Sequence, residues 1–124
     1  MKKSIFLIAV IGLLAACGGS GNKTDEKPKV VDITKNPDYV KGLAAIEKTP
    51  ICFTCHKIDE KLQGPAWREV ANKYADSANA VQYLSDKIIN GGTGVWGEIF
   101  MPPNSAVPKE DVEAIVKYIL LLKK

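Results

Sequence analysis

The pentapeptide Cys52-Phe53-Thr54-Cys55-His56 constrains this chain more than any other feature, because it holds two of the three cysteines and the only histidine. In a helical turn, residues three and four apart lie on one face, so both thiols and the imidazole can address one flat object. The C-x-x-C-H spacing is the pattern of covalent haem c attachment. The sequence therefore predicts one haem c, bonded to Cys52 and Cys55, with His56 as an iron ligand.

Three other interpretations of this motif remain open at this point. A thioredoxin-like dithiol would require a preceding strand and a strand–helix–strand context, and the sequence shows neither. A structural zinc site would require a fourth ligand, and the only other cysteine is Cys17, near the start of the chain. A disulfide is compatible with an exported protein, but it would not require the adjacent histidine.

A second iron ligand is indicated by counting. Met101 is the only methionine besides Met1, and thioether sulfur is a soft, neutral ligand that suits low-spin haem iron. Pro102 and Pro103 follow it directly and favour an extended conformation at Met101. The methionine could instead fill a gap in the core, but its place in a loop before two prolines favours a ligand.

The first sixteen residues have the features of an export signal. Lys2 and Lys3 precede an apolar run over residues 5–16, which as a helix would rise only ~18 Å, short of the ~30 Å hydrocarbon core. The run ends in Leu14-Ala15-Ala16-Cys17, which resembles a bacterial lipobox and implies cleavage before Cys17 and a lipid on its sulfur. An ordinary signal with an incidental cysteine is the alternative.

The remaining chain divides into a tether and one domain. Residues 17–35 comprise Cys17 and a polar segment without helical period, which is typical of a flexible tether. Residues 36–124 then form the predicted domain. The formal net charge of +3 includes the two lysines of the signal, so the mature chain has no basic footprint for nucleic acid.

The domain is predicted to be all-α. Apolar residues recur at helical spacing in four segments, and Asn36 and Pro37 supply a cap and a first residue for the first of them. Nothing alternates with period two, so no strand is predicted. The long connection 91–108 is rich in Gly and Pro, and together with the small core it suggests a large apolar cofactor. The helical segments are 36–48, 65–76, 79–91 and 108–124.

These features together resemble the class I cytochromes c, most closely the small bacterial monohaem carriers that donate electrons to periplasmic reductases. The resemblance covers residues 36–123 and is carried by CFTCHKIDEKLQGPAW, KIINGGTGVWGEIFMPPN and the last helix. It implies four or five short helices wrapped around one haem, and a monomeric electron carrier rather than an enzyme. The chain departs from the family pattern at three places. It has an extra residue before Cys52, it has Trp67 where a tyrosine or phenylalanine is commoner, and its last helix starts late.

The resemblance also implies roles for residues around the haem. The carbonyl of Pro65 would accept the imidazole N–H, and the indole of Trp96 would donate to a haem propionate. Lys87 would be a cationic partner of a propionate, and the amide of Asn104 would hydrogen-bond the methionine sulfur. Ordinary turn, wall or surface roles are the alternatives for these four residues. Gly42 and Tyr118 are expected to meet where the first and last helices cross.

With His56 and Met101 on opposite sides, the iron would have six ligands and no open position. The sequence thus predicts a one-electron carrier with redox proteins as donor and acceptor, exported and held to a bacterial membrane by its lipid. Lys57, Lys61 and Lys87 are candidates for steering the partner. A haem sensor or peroxidase in which Met101 dissociates is the alternative, and a non-haem redox or metal-binding domain is a third class.

Overall fold

The computed structural model describes residues 32–124, so the predicted signal peptide, Cys17 and most of the tether lie outside the described residues. A short 3-10 turn at Ile33–Lys35 precedes the predicted domain start, and a second one spans Pro50–Thr54. None of the helices within residues 32–124 is long and apolar enough to cross a membrane. The α-helices of this part are α1 (Pro37–Lys48), α2 (Trp67–Tyr74), α3 (Ala80–Asn90) and α4 (Lys109–Leu120).

The helices form where the sequence predicts them, with ends that differ by a few residues. The side chain of Asn36 caps α1, because its Oδ1 accepts from Asp38 N at 2.8 Å, and Pro37 is the first helical residue. Glu69 reaches back from the first turn of α2 and accepts from Ala66 N at 3.0 Å. Such contacts satisfy backbone N–H groups that have no partner inside the helix.

The core is built where α1 crosses α4. Ile46 of α1 and the apolar stripe of α4 are buried there. A Cβ atom on Gly42 would lie 2.3 Å from Tyr118 Cβ and 2.5 Å from Ala114 O, so the two helix backbones touch at a point where only glycine fits. The predicted pairing of Gly42 with Tyr118 is confirmed. The buried residues of α4 are Val112, Ile115, Val116, Tyr118 and Ile119.

The connection between α3 and α4 contains a short antiparallel hairpin, which the sequence analysis missed. Strand β1 (Gly92–Gly94) pairs with β2 (Gly97–Met101), with Gly92 opposite Met101 and Gly94 opposite Gly97. Most residues of both strands are exposed. Without a buried face there is no reason for apolar and polar residues to alternate, and the period-two signal of a strand is therefore missing.

The C-terminal residues are fastened to α2 through Arg68. Its guanidinium donates to the carbonyl of Leu122 and to the carboxylate of Asp59. The hydrogen bond from Arg68 holds the pKa of Asp59 below its ordinary value. Lys124 N donates to Asn72 Oδ1 at 3.0 Å. These contacts join the end of the chain, α2 and the loop that follows the C-x-x-C-H motif.

Candidate haem-binding site

A largely apolar cavity of about 230 Å³ lies between the helices and the hairpin. Cys52, Cys55, His56 and Met101 all line it. The structure thus brings together the four residues that the sequence predicts to hold a cofactor, although Met101 is far from the others along the chain. Its apolar walls include Trp67, Val70, Leu84, Ile88, Ile115, Val116 and Ile119.

The cysteines sit in and directly after the 3-10 turn Pro50–Thr54, a tighter turn than an α-helix. His56 N donates to Cys52 O at 3.1 Å, and Cys55 N donates to the same carbonyl at 3.4 Å. Both thiols are free in the part of the chain that the structure describes. Burial raises the pKa of the Cys52 thiol above its ordinary value, while a backbone hydrogen bond opposes the rise. The turn directs both sulfur atoms and the imidazole to the cavity.

The imidazole of His56 is oriented by the backbone behind it. Its Nδ1 lies 2.8 Å from Pro65 O, so Nδ1–H donates to that carbonyl and Nε2 is left for a metal. Such a bond fixes the tautomer of a ligating histidine and strengthens it as a donor. The ring of Trp67 stacks near the imidazole, with centroids 6.2 Å apart.

Gly64 is a residue of this site that the sequence did not single out. A Cβ atom at this position would lie 2.3 Å from His56 Cε1 and 2.7 Å from Nδ1. The backbone of Gly64 therefore lies directly against the imidazole ring. The dipeptide Gly64-Pro65 signals a turn, but no local pattern reveals that the turn folds back onto a side chain eight residues earlier.

Backbone hydrogen bonds hold this half of the site together. Gly64 N donates to Cys55 O at 2.9 Å, and Trp67 N donates to Lys57 O at 2.9 Å. The segment between the motif and α2 is thus closed on itself. As a result, the position of the imidazole depends on contacts within one short stretch of the chain.

Met101 is held by the other half of the site. It ends β2, and the two prolines after it lead to Asn104, whose N donates to Ile88 O at 2.9 Å. The side-chain amide of Asn104 donates to Pro102 O at 3.0 Å. The hydrogen bond to the methionine sulfur that the resemblance implies is not among the side-chain hydrogen bonds of Asn104 in residues 32–124.

The edge of the cavity combines aromatic rings with lysines. Trp96 and Lys87 line the cavity as expected of haem neighbours. Lys73 Nζ lies 5.3 Å from the ring centre of Trp96, and Lys87 Nζ lies 5.6 Å from that of Tyr83. Burial and a hydrogen bond with Tyr83 raise the pKa of Tyr74 to about 12. Lys73 and Tyr83 were not predicted to belong to the site, because single residues on a helix face carry no signal in the sequence.

The residues present fit a haem c. Two free thiols at the attachment spacing, an imidazole with one nitrogen already engaged and a neutral sulfur face a cavity whose walls are mostly apolar. Among residues 32–124, no three His, Cys, Asp or Glu side chains form a group that could hold a metal ion.

Comparison with known proteins identifies the class that this fold and site define. The sequence profile of the cytochrome c family matches residues 40–123. The chain therefore belongs to the cytochrome c family. It is a small bacterial class I c-type cytochrome with one covalently bound haem c, and it transfers electrons.

Its relatives include bacterial cytochromes named c-551 and c-552. Cytochrome c-552 of Nitrosomonas europaea is 44% identical over 85 residues, which is 68% of this chain and 82% of that protein. Cytochrome c-551 of Allochromatium vinosum is 39% identical over 88 residues, covering 71% of this chain and 93% of that protein. The crystal structure of the Nitrosomonas europaea cytochrome c552 matches with a TM-score of 0.61 at 43% identity, over 65% of this chain and 99% of that one.

Proposed function

We propose that this cytochrome is a one-electron carrier whose iron is bound by His56 on one side and Met101 on the other. The observation that carries the proposal is that these two side chains and both motif cysteines line one apolar cavity. Cys52 and Cys55 would each form a thioether bond to the porphyrin. The haem, when bound, supplies the one-electron chemistry, and the chain sets its ligands and surroundings.

The ligands favour electron transfer over catalysis. The hydrogen bond from His56 Nδ1 to Pro65 O at 2.8 Å supports the imidazole as a ligand. A neutral methionine sulfur favours Fe(II), and so do the apolar walls, because Fe(III) carries the extra charge. With His56 and Met101 both holding the iron, a substrate could not reach it without displacing one of these residues. This supports a carrier rather than an enzyme.

The aromatic edge of the cavity holds the residues that would contact the haem propionates. Lys87 and Trp96 keep their predicted roles as charge partner and hydrogen-bond donor in this proposal, and Lys73 beside the Trp96 ring joins them. Two ammonium groups near an otherwise apolar pocket would balance two carboxylates. Asn104 is assigned to the Pro102 carbonyl that it contacts, and its bond to the sulfur stays a prediction.

The spectrum of the purified holoprotein tests the ligand set. We expect haem to remain attached through SDS denaturation, and the oxidised protein to be low-spin with the weak long-wavelength band of an iron–thioether bond. Carbon monoxide and cyanide should bind poorly at neutral pH. A high-spin oxidised protein, or ready binding of carbon monoxide by the untreated protein, would contradict the proposal and favour the sensor or peroxidase in which Met101 dissociates.

Partners are proposed to dock at the exposed apolar rim of the cavity. Ile51, Ile99 and Phe100 line the cavity and are 58%, 60% and 58% exposed. A transient redox contact buries less than ~1,200 Å² in total, which such a rim can supply. Lys57 already pairs with Glu60 at 2.7 Å, and Lys87 is assigned to a propionate, so Lys61 is the stronger candidate of the three for steering the partner. The donor and the acceptor are proposed to be respiratory redox proteins, and the carrier a monomer.

Export and lipid attachment at Cys17 complete the proposal. Because Ile33–Lys35 form a 3-10 turn capped by Asp32, the tether would comprise residues 18–31, with an r.m.s. span of roughly 21 Å. This span would let the domain exchange electrons with membrane proteins without diffusing away. Three acyl chains at ~0.8 kcal/mol per buried methylene would make the attachment permanent.

Substituting Cys17 with serine tests the anchor. We expect C17S to move from the membrane fraction to the soluble fraction with its haem content unchanged, since Cys17 is remote in sequence from the C-x-x-C-H motif. Ser20→Ala, which alters the tether but keeps the thiol, should stay with the membrane. Recovery of C17S in the membrane fraction would show that an ordinary signal or another contact explains the localisation. Cell fractionation with haem staining measures both properties.

A further inference from the structure

Gly91 lies where the end of α3 meets the backbone around Met101. Its N–H donates to Lys87 O at 2.9 Å and its φ of 69° suits glycine. A Cβ atom on Gly91 would lie 2.2 Å from Met101 O and 2.9 Å from Pro103 N. These are backbone atoms, which cannot rotate out of the way as a side chain can. The chain from Met101 to Pro103 therefore rests directly on the Gly91 backbone.

The other glycines of the hairpin differ in this respect. Gly92, Gly94 and Gly97 also have positive φ values, of 135°, 96° and 110°. A Cβ atom on Gly92 would have its nearest neighbour, Lys87 Nζ, at 3.7 Å, and one on Gly94 or Gly97 would meet nothing within 4 Å. No other part of residues 32–124 approaches these three positions closely, although all three line the cavity. Gly91 is distinguished from them by the close approach of the Met101 segment.

We propose that Gly91 is a positioning residue for Met101, and that its bare backbone lets the methionine carbonyl seat against the end of α3 so that the sulfur is held at the iron. This inference rests on the proposed ligand role of Met101. Gly91 is not itself a ligand, but by this proposal it sets how firmly the sulfur of Met101 stays bound to the iron.

The stiffness of the segment makes such an effect large. Pro102 and Pro103 have fixed φ angles, and Asn104 N is tied to Ile88 O at 2.9 Å. A methyl group on Gly91 would have to displace the Met101 carbonyl by about 1 Å to reach an ordinary contact distance. The prolines leave few torsions to absorb that shift, so it passes to the Met101 Cα atom and its side chain. The sulfur would then spend more time away from the iron.

The test compares Gly91→Ala with Gly94→Ala in the purified, oxidised holoprotein titrated with imidazole. Imidazole binds only where the sulfur has left, so its apparent dissociation constant falls as that fraction rises. We expect G91A to bind imidazole about tenfold more tightly than the natural protein, with a weaker iron–thioether band. We expect G94A, which places alanine at a positive φ without touching the Met101 segment, to bind within about twofold of it. Equal shifts in the two variants would overturn the proposal.

The same experiment separates this inference from the proposed function. Absence of the iron–thioether band in the natural protein would remove Met101 as a ligand, and with it both proposals. Its presence together with similar behaviour of G91A and G94A would overturn the role of Gly91 alone.

A second pair of variants covers a failure of G91A to fold. In a Met101→Ala background the segment keeps its prolines and the Asn104–Ile88 hydrogen bond, but it has no bond to iron that a shift could strain. The extra loss of denaturation midpoint with G91A over G94A should therefore be smaller in this background than in the natural one, and holoprotein that G91A forms only in this background would support the proposal equally. An extra loss as large as in the natural background, or failure of G91A to form holoprotein in both, would show that Gly91 serves the fold rather than the methionine, and would overturn the proposal.

Discussion

Replacing Met101 with alanine should turn a closed site into one that binds imidazole about a hundredfold more tightly. The estimate follows if the sulfur is bound in about 99% of natural molecules, because removing it makes every molecule competent. The reduction potential should fall by on the order of 0.1 V, a part of the ~0.8 V range that axial ligands span. The direction follows from loss of the neutral sulfur that favours Fe(II).

Titration with imidazole and a redox titration of the same samples measure both effects. Glu98→Ala is the matched control, because Glu98 lies on β2 and is exposed. It should leave imidazole affinity and potential near those of the natural protein. Unchanged imidazole affinity in M101A would show that methionine does not occupy the sixth position, and a carrier with another ligand, or an open site, would replace the present proposal.

Replacing Gly42 with alanine should lower the free energy of unfolding by about 2 kcal/mol. Two effects compete. At an open helical position the change from Gly to Ala stabilises by about 1 kcal/mol. Here the new Cβ would lie 2.3 Å from Tyr118 Cβ and 2.5 Å from Ala114 O, and overpacking costs about 1–3 kcal/mol, or more where backbones touch. The steric term wins because α1 and α4 must separate along their whole contact, and domains have only about 5–15 kcal/mol of stability.

Denaturant unfolding of the holoprotein measures the change. The exposed Ala44 of α1 provides the control for propensity, since A44G should lose about 1 kcal/mol from that term alone. If propensity governed position 42 as well, G42A would be more stable than the natural protein. A variant as stable as the natural protein would mean that the helices cross with more room than the structure shows.

The helices and the motif cysteines were predictable because their signals are local. The Asn36 cap, the apolar stripe of α4 and the C-x-x-C-H spacing each lie within a few turns of chain, and the structure places the helices accordingly. Met101 was found by elimination rather than by pattern, since the chain has one other methionine. Met101 does line the cavity, while its bond to iron stays a prediction.

The contacts that were missed depend on approach between distant segments. Nothing near Gly64 or Gly91 in the sequence reveals that an imidazole or a methionine carbonyl lies against it. The hairpin was not predicted because its strands are exposed and rich in glycine. Neither an alternation of apolar and polar residues nor a high β-propensity therefore indicates them. The side-chain amide of Asn104 donates to the carbonyl of Pro102, two residues away. Sequence resemblance does not decide between this carbonyl and the methionine sulfur as the acceptor. The signal peptide and Cys17 stay predictions.

The two halves of the site are built in different ways, and we therefore expect them to differ in how easily they open. Everything that orients His56 comes from residues 52–67, so that half closes a short loop at little entropic cost. The sulfur arrives on an exposed hairpin much later in the chain, with few buried side chains to retain it. Such a segment is expected among the first to open in native fluctuations. We therefore expect local opening of this cytochrome to begin at the hairpin that carries Met101. The segment around His56 would stay folded and hold the cofactor until the hairpin closes again.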